Sequence, residues 1–469
     1  MFDMLEARIG AVLDRLRGQT RPPPSQGGLI IREVTDPGFL LKHLQALRSA
    51  GMSRPGGNQL SSAAYEPALA ELKEAAAAAS APFMPHTPTN GQLQSILSTC
   101  IESCGARLIR EAPEGLARLA HAVLEDAEIF REFGPCDPLW METKLAEGWQ
   151  AMIGKPAFPD SPPHPVPLAS DAQVILVGDW GTGLPGAVSV GEAIRERIEQ
   201  ARGREQHLIH LGDVYYSGWR EEYETRFLTH WPVEREEREV LCWALNGNHD
   251  MYSGGHGYFG FLLHDPRFRG HWRGDPGHIA PASYFSIENE NWQLLGLDSA
   301  YADHDLAGSQ AQWVASKVGH GPRTILLSHH QPFSAYQPVG GAMTARIIQA
   351  LRRERLDVWF WGHEHRCTIY GSDPVSWLGF GSCVGNGGVP QLLPDPPLSP
   401  EQQRTAGCAP LTWAYNGEER ADGDAWLRFG FAVLSFDGPR LTVEYVDERG
   451  TTITCVDRDG QPASSVALA

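Results

Sequence analysis

The sequence predicts an α/β protein, a two-sheet mixed β-sandwich flanked by helices, with an additional all-α N-terminal domain. Three observations predict it. After residue 169 apolar runs alternate with helical periodicity, five of those runs stop at Asp, Asn or His, and the chain before residue 158 carries only helical patterns. At 469 residues the chain is too long for one ordinary core, so more than one domain is expected.

The first element, "MFDMLEARIGAVLDRLRGQ", has acids among its first six residues and reads as an amphipathic helix rather than an export leader. "EPALAELKEAAAAASA" is rich in strong helix formers. "LQSILSTCIESCGARLI" and "EGLARLAHAVLEDAEIFREF" repeat apolar residues at three and four. "DPLWMETKLAEGWQAMIG" opens on an Asp cap followed by proline. Residues 1–157 are therefore expected to form a helical domain. They carry no catalytic pattern and are left as a module for a protein partner or for self-association. "FPDSPPHPVPL" comes next, and proline at this density favours extended, solvated backbone. Residues 158–169 are read as a linker, and 170–469 as the catalytic domain.

In that domain "QVILVG", "HLIHLG", "REVLCWALNGNHD", "RTILLSHH" and "LDVWFWGHEH" are the five apolar runs, with "VGEAIRERIEQA" a helix between the first two. In α/β sheets, sites collect outside the carboxyl ends of strands, so five strand ends are expected to deliver polar groups to one rim. "SYFSIENENWQLLGLDS" and the closing "RFGFAVLSFDGPRLTVEYVDERGTTITCV" read as antiparallel hairpins turning at Glu-Asn, Asp-Gly and Arg-Gly, which makes the sheets mixed.

Composition narrows the function. Hydrophobic content of 42% with 20% charged residues is that of a soluble globular protein. A net charge of -18 argues against general nucleic-acid binding, because phosphates would be repelled. No run of about 18 apolar residues is present, so no membrane helix is expected. Eight cysteines without a C-x-x-C pair suit neither a disulfide scaffold nor a zinc ribbon. Reduced thiols and the missing leader point to a cytoplasmic protein.

The strand ends supply Asp179 in "GDWG", Asp213 and Tyr216 in "GDVYY", Asn248 and His249 in "GNHD", His329 and His330 in "SHHQP", and His363 and His365 in "GHEH". Hard oxygen donors mixed with imidazoles suit iron, manganese or zinc. One carboxylate bridging two ions, with three further donors on each, takes seven of these nine residues. Weaker readings accompany it. Asp250 is expected to orient a neighbour through a hydrogen bond, and Tyr215 to pack in the core. Asp298 is read either as a site neighbour or as a turn residue. The Gly-rich insertion 251–281 is read either as a substrate gate or as a poorly ordered loop. Its Arg267, Arg269 and Arg273 are candidates to meet an anionic substrate, and Trp180 and Tyr252 to stack on an aromatic leaving group.

This ordered set of motifs, between about residues 173 and 370, resembles the metallophosphoesterase (calcineurin-like) superfamily, and most of all its purple acid phosphatase branch. Most members open with D-x-H, whereas Asp179-Trp180-Gly181 stands here. The purple branch carries instead a tyrosine three residues after the second Asp, where Tyr216 stands. The resemblance implies that Asp179, Asp213, Tyr216 and His365 hold one metal. It implies that Asp213, Asn248, His363 and either His329 or His330 hold the second, with Asp213 bridging. The length of the apolar run selects His329 as ligand, while the His-x-Pro phrase selects His330. His249 is expected to bind the phosphoryl group or protonate the leaving oxygen, with His330 sharing that work.

The resemblance further implies iron in the tyrosine site and iron, zinc or manganese in the other. The activity expected is hydrolysis of phosphomonoesters by in-line attack of a metal-bound hydroxide on a small phosphorylated substrate. A phosphodiesterase or nucleotide pyrophosphatase using the same site is the nearest alternative. A non-catalytic scaffold whose helical domain recruits a partner is the alternative of another class. Two departures stand against the purple branch. Its members are usually exported, and the larger ones carry an N-terminal β-domain rather than helices.

Overall fold

The computed structural model describes the chain from 154 to 463 except 161–162, 273–280, 320, 337–338, 340, 353, 372–376, 392–396 and 417–426, together with six residues between 143 and 153. The expected helical domain thus lies almost wholly outside the described residues, as does Arg273. Residues 156–251 and 255–469 form one compact unit.

Two mixed sheets make up this unit. In the six-stranded sheet β2 (Gln173–Val177), β3 (Gln206–His210) and β4 (Val240–Ala244) run parallel. The antiparallel meander β12 (Gly430–Asp437), β13 (Arg440–Asp447) and β14 (Thr452–Asp457) joins them through β12 on β2. In the eight-stranded sheet the central strands β6 (Trp292–Gly296), β7 (Arg323–Ser328), β8 (Leu356–Trp361) and β10 (Leu378–Val384) are parallel. β5 (Phe285–Glu288), β9 (Cys367–Tyr370) and β11 (Leu411–Ala414) add antiparallel pairings, and β1 (Val166–Pro167) lies on one edge. The order across this sheet is β1-β5-β6-β7-β8-β10-β9-β11. Each expected hairpin is present. Its turns fall where the polar dipeptides stand, with Gly438 and Gly450 at positive φ.

The central strands are continuous apolar runs because both of their faces are covered. Val174, Leu176, Ile209 and Leu211 of one sheet meet Leu294, Ile325, Leu327, Val358 and Phe360 of the other in the sandwich core. The alternate residues Ile175, Val177 and Leu208 pack outward against Val190, Ile194 and Ile198 of α1 (Pro185–Gln200). Leu295, Leu326 and Trp359 pack against Val314 of α2 (Gln310–Lys317) and Ile347 of α3 (Ala342–Leu351). Three buried layers thus follow from period two, and they fix where each strand ends. Among the described residues no helix is long and apolar enough to cross a membrane.

The proline-rich stretch is partly sheet. The edge strand β1 runs parallel to β5, and Leu168 N–H donates to the Glu288 carbonyl at 2.9 Å. An edge position tolerates proline because one side of the strand needs no donor. A two-residue strand shows no periodicity, so the sequence reads it as linker.

Candidate metal centre

Each parallel strand hands the chain to a glycine or a polar residue at the rim, and the next side chain turns inward. Asp179, Asp213, His363 and His365 all sit at left-handed φ, between 50° and 76°. Such backbone is uncommon outside glycine and clusters at functional sites. Glycines make room for it. A Cβ on Gly247 would lie 2.1 Å from Asp213 Oδ1 and 2.7 Å from the His329 ring, and Gly212, at φ +108°, abuts the same ring.

Two groups of donor atoms result. In the first, Tyr215 Oη lies 3.1 Å from Asp179 Oδ1, 3.1 Å from Asp213 Oδ2 and 2.9 Å from His365 Nε2, and His365 Nε2 is 3.4 Å from Asp179 Oδ1. In the second, His329 Nε2 lies 3.4 Å from Asp213 Oδ2, 3.0 Å from Asn248 Oδ1 and 3.2 Å from His363 Nδ1. Asp213 Oδ2 belongs to both. Donors held about 2.1 Å from one ion stand about 3.0 Å apart at right angles and about 3.4 Å apart in a tetrahedron. The observed spacings fall in that range, so the residues fit two cations sharing one carboxylate oxygen. Asp179, Asp213 and His365 form one metal-competent group and Asp213, His329 and His363 another.

The electrostatics agree. Asp179 and Asp213 are wholly buried. Burial first, then the charges of Asp179 and Asp250, push the Asp213 carboxyl well above its ordinary pKa. Buried carboxylates this close together need positive charge between them. Burial also holds His329 and His363 well below the ordinary imidazole value, so both stay neutral and present lone pairs. His329 donates from Nδ1 to the Leu211 carbonyl at 3.0 Å, which leaves Nε2 as the ligating atom.

Residues 172–367 match the family model of the calcineurin-like phosphoesterases. Over these residues the chain is similar to that family. Solved structures similar to it include GAP50, the anchor in the inner membrane complex of Plasmodium, at 11% identity over 63% of this chain and 90% of that one, TM-score 0.44. The 5'-nucleotidase of Candida albicans is 15% identical over 48% of this chain and 47% of its own, TM-score 0.29. Wild-type Vps29 of Entamoeba histolytica, complexed with zinc, is 12% identical over 61% and 99%, TM-score 0.25. No curated protein matches.

Within this phosphoesterase fold the structure brings Asp179, Asp213, Asn248, His329, His363 and His365 together, and the phenol that lies among them is that of Tyr215. The Tyr216 ring lies under the Arg226 guanidinium, 5.4 Å from it, and the residue offers its carbonyl to His249 Nδ1 at 2.7 Å. The adjacent Tyr215, read from the sequence as a packing residue, places its phenol in the first donor group. Adjacent rings leave the chain in different directions, and spacing along the sequence does not tell which one turns inward.

His329 rather than His330 stands in the second donor group. His330 is wholly buried, with Nδ1 3.0 Å from the Ser299 carbonyl and 3.1 Å from the Ser299 hydroxyl, and its ring packs against that of His304 at a tilt, the centres 3.7 Å apart. His249 lies on the other flank, its ring 4.4 Å from that of Tyr215, and its backbone N–H holds Asp213 Oδ1 at 2.9 Å.

Asp250 braces the centre. It accepts from the backbone N–H groups of Asp213 at 2.8 Å, Val214 at 3.2 Å and Gly247 at 2.6 Å, and from the Tyr223 hydroxyl. Asp298 closes a turn, accepting from Ala300 and Tyr301 backbone groups at 3.2 Å and 2.9 Å. Trp180 is a core residue, wholly buried, with Nε1–H on the Ala187 carbonyl at 2.6 Å. It does not meet a leaving group. Arg267 is buried on Asp265 and the Leu228 carbonyl, and Arg269 ties down carbonyls of Arg238 and Val240. Both arginines hold the insertion in place instead of greeting substrate.

Proposed function

We propose that the chain is a hydrolase of phosphomonoesters working with two metal ions. Asp179, Asp213, Tyr215 and His365 would hold one ion, and Asp213, Asn248, His329 and His363 the other. The single observation that carries this reading is that one oxygen, Asp213 Oδ2, lies within 3.4 Å of donors in both groups. A pair of ions bound there would neutralise the phosphoryl oxygens and make water acidic enough to attack near neutral pH.

The protein's own part is to orient and to move protons. His249 uses Nδ1 to donate to the Tyr216 carbonyl, so proton exchange with substrate runs through Nε2. Burial lowers its pKa to about 3. A phosphoryl dianion beside it favours the protonated form and so turns it into a donor to phosphate or to the leaving oxygen. Asp250 keeps the loops after β3 and β4 in register while charge shifts.

The phenol supports purple-acid-phosphatase-like chemistry, with iron in the Tyr215 group and iron, zinc or manganese in the other. Burial and the two carboxylates hold the Tyr215 hydroxyl well above its ordinary pKa. A strongly acidic ion such as ferric iron is the kind that displaces its proton. The test is reconstitution of stripped protein with iron and zinc, followed by assay on p-nitrophenyl phosphate and its bis ester. Faster turnover of the monoester supports the proposal. Faster turnover of the diester moves the assignment to a phosphodiesterase. No turnover of either, with both ions bound, favours a scaffold.

A further inference from the structure

We propose that His304 and His330, with His363 alongside, form a third cation site next to the dinuclear centre, of the kind that takes Zn²⁺. The ring nitrogens of these three residues lie within 4.8 Å of one another. The hydrogen bonds on the outer side of two rings decide what faces inward. His330 Nδ1 lies 3.0 Å from the Ser299 carbonyl and 3.1 Å from the Ser299 hydroxyl, so both of its contacts are on the outer side of the ring. His304 Nδ1 likewise meets the Asp303 carboxylate at 2.9 Å, an acceptor alone. Both rings therefore spend Nδ1 on outer contacts and leave Nε2 for a ligand. His330 Nε2 is wholly buried and has no hydrogen-bond partner among the described residues.

An unpartnered buried ring nitrogen is unfavourable, and a cation bound to its lone pair relieves it. A carbonyl behind one histidine and a carboxylate behind the other is the usual support of imidazoles that bind zinc. His304 is placed for this by two successive residues at left-handed φ, Asp303 at 50° and His304 at 60°. Two nitrogens bound to one zinc stand at most about 4.2 Å apart. Rotation of the half-exposed His304 ring would bring its nitrogen within that distance.

The His363 Nδ1 atom already faces His329, so the third ion rests chiefly on two imidazoles. The rest of its coordination falls to water or to phosphate. It repels the neighbouring pair and binds most weakly of the three. The inference extends the dinuclear reading, because it shares His363 with it.

The test is a Zn²⁺ titration of stripped full-length protein against a competing chromophoric chelator, with bound zinc counted by mass spectrometry. Wild type is expected to take three equivalents per chain. His304→Ala and His304→Gln, at a residue whose side chain is 39% exposed, are expected to take two. Wild type saturating at two, or either variant still taking three, overturns the third site and leaves the dinuclear centre standing. Saturation below two in wild type overturns both.

Discussion

The two sheets supply different chemistry to one rim. From the six-stranded sheet, β2, β3 and β4 end at Asp179, Asp213 and Asn248, all oxygen donors. From the eight-stranded sheet, β7 and β8 end at His329, His363 and His365, all nitrogen donors. Each donor group draws on both sheets, so a bound ion ties the sandwich together at its functional end. Protein contacts already cross the same seam. His363 N–H donates to Asp179 Oδ2 at 2.7 Å, and His329 Nδ1–H to the Leu211 carbonyl at 3.0 Å. The halves also differ in their bracing. A side chain, Asp250, holds the oxygen half, whereas backbone carbonyls hold His329 and His330. Oxygen donors bring the negative charge that balances the ions, and imidazoles bring affinity without adding more of it.

The largest effect is expected on the oxygen half. Asp213→Asn weakens the one donor common to both groups, and phosphoester hydrolysis should fall by at least about 10³-fold, with metal content lost from both positions. Loss of a single equivalent would show that the groups are independent. Asp250→Asn is the next test, because it loosens the loops without touching a donor. Metal affinity should drop about 10- to 100-fold, measured by competition with a chelator, while the fold persists. An unchanged affinity would show that the oxygen half needs no such brace. The smallest change separates the two tyrosines. In iron-reconstituted protein Tyr215→Phe should abolish a visible charge-transfer band, and Tyr216→Phe should keep it. The reverse would restore the assignment that spacing alone suggests.

How far the sequence discloses this centre depends on how close each residue lies to a strand end. Asp179, Asp213 and Asn248 each follow a glycine just past an apolar run, and His329 follows β7 directly. Period-two burial on both faces makes such ends conspicuous, and the hairpins announce themselves by their turn residues. Tyr215 is hidden by its neighbour, since both rings are aromatic, buried and one residue apart. His304 lies well beyond β6 in an irregular loop, where no period points anywhere. Only the Asp-His-Asp run 303–305 hints at chemistry there. Trp180, Arg267 and Arg269 mislead for the opposite reason. Aromatic and cationic side chains near a motif invite a role in binding, yet their hydrogen bonds are spent on backbone carbonyls and on Asp265.

Anomalous diffraction from crystals of zinc- or iron-loaded protein tests the shared-carboxylate centre most directly. One peak is predicted on each side of the Asp213 carboxylate, about 3.5–4 Å apart, with Tyr215 and His365 against one and Asn248 and His329 against the other. A lone peak at Asp213, or two ions that share no carboxylate oxygen, would contradict it.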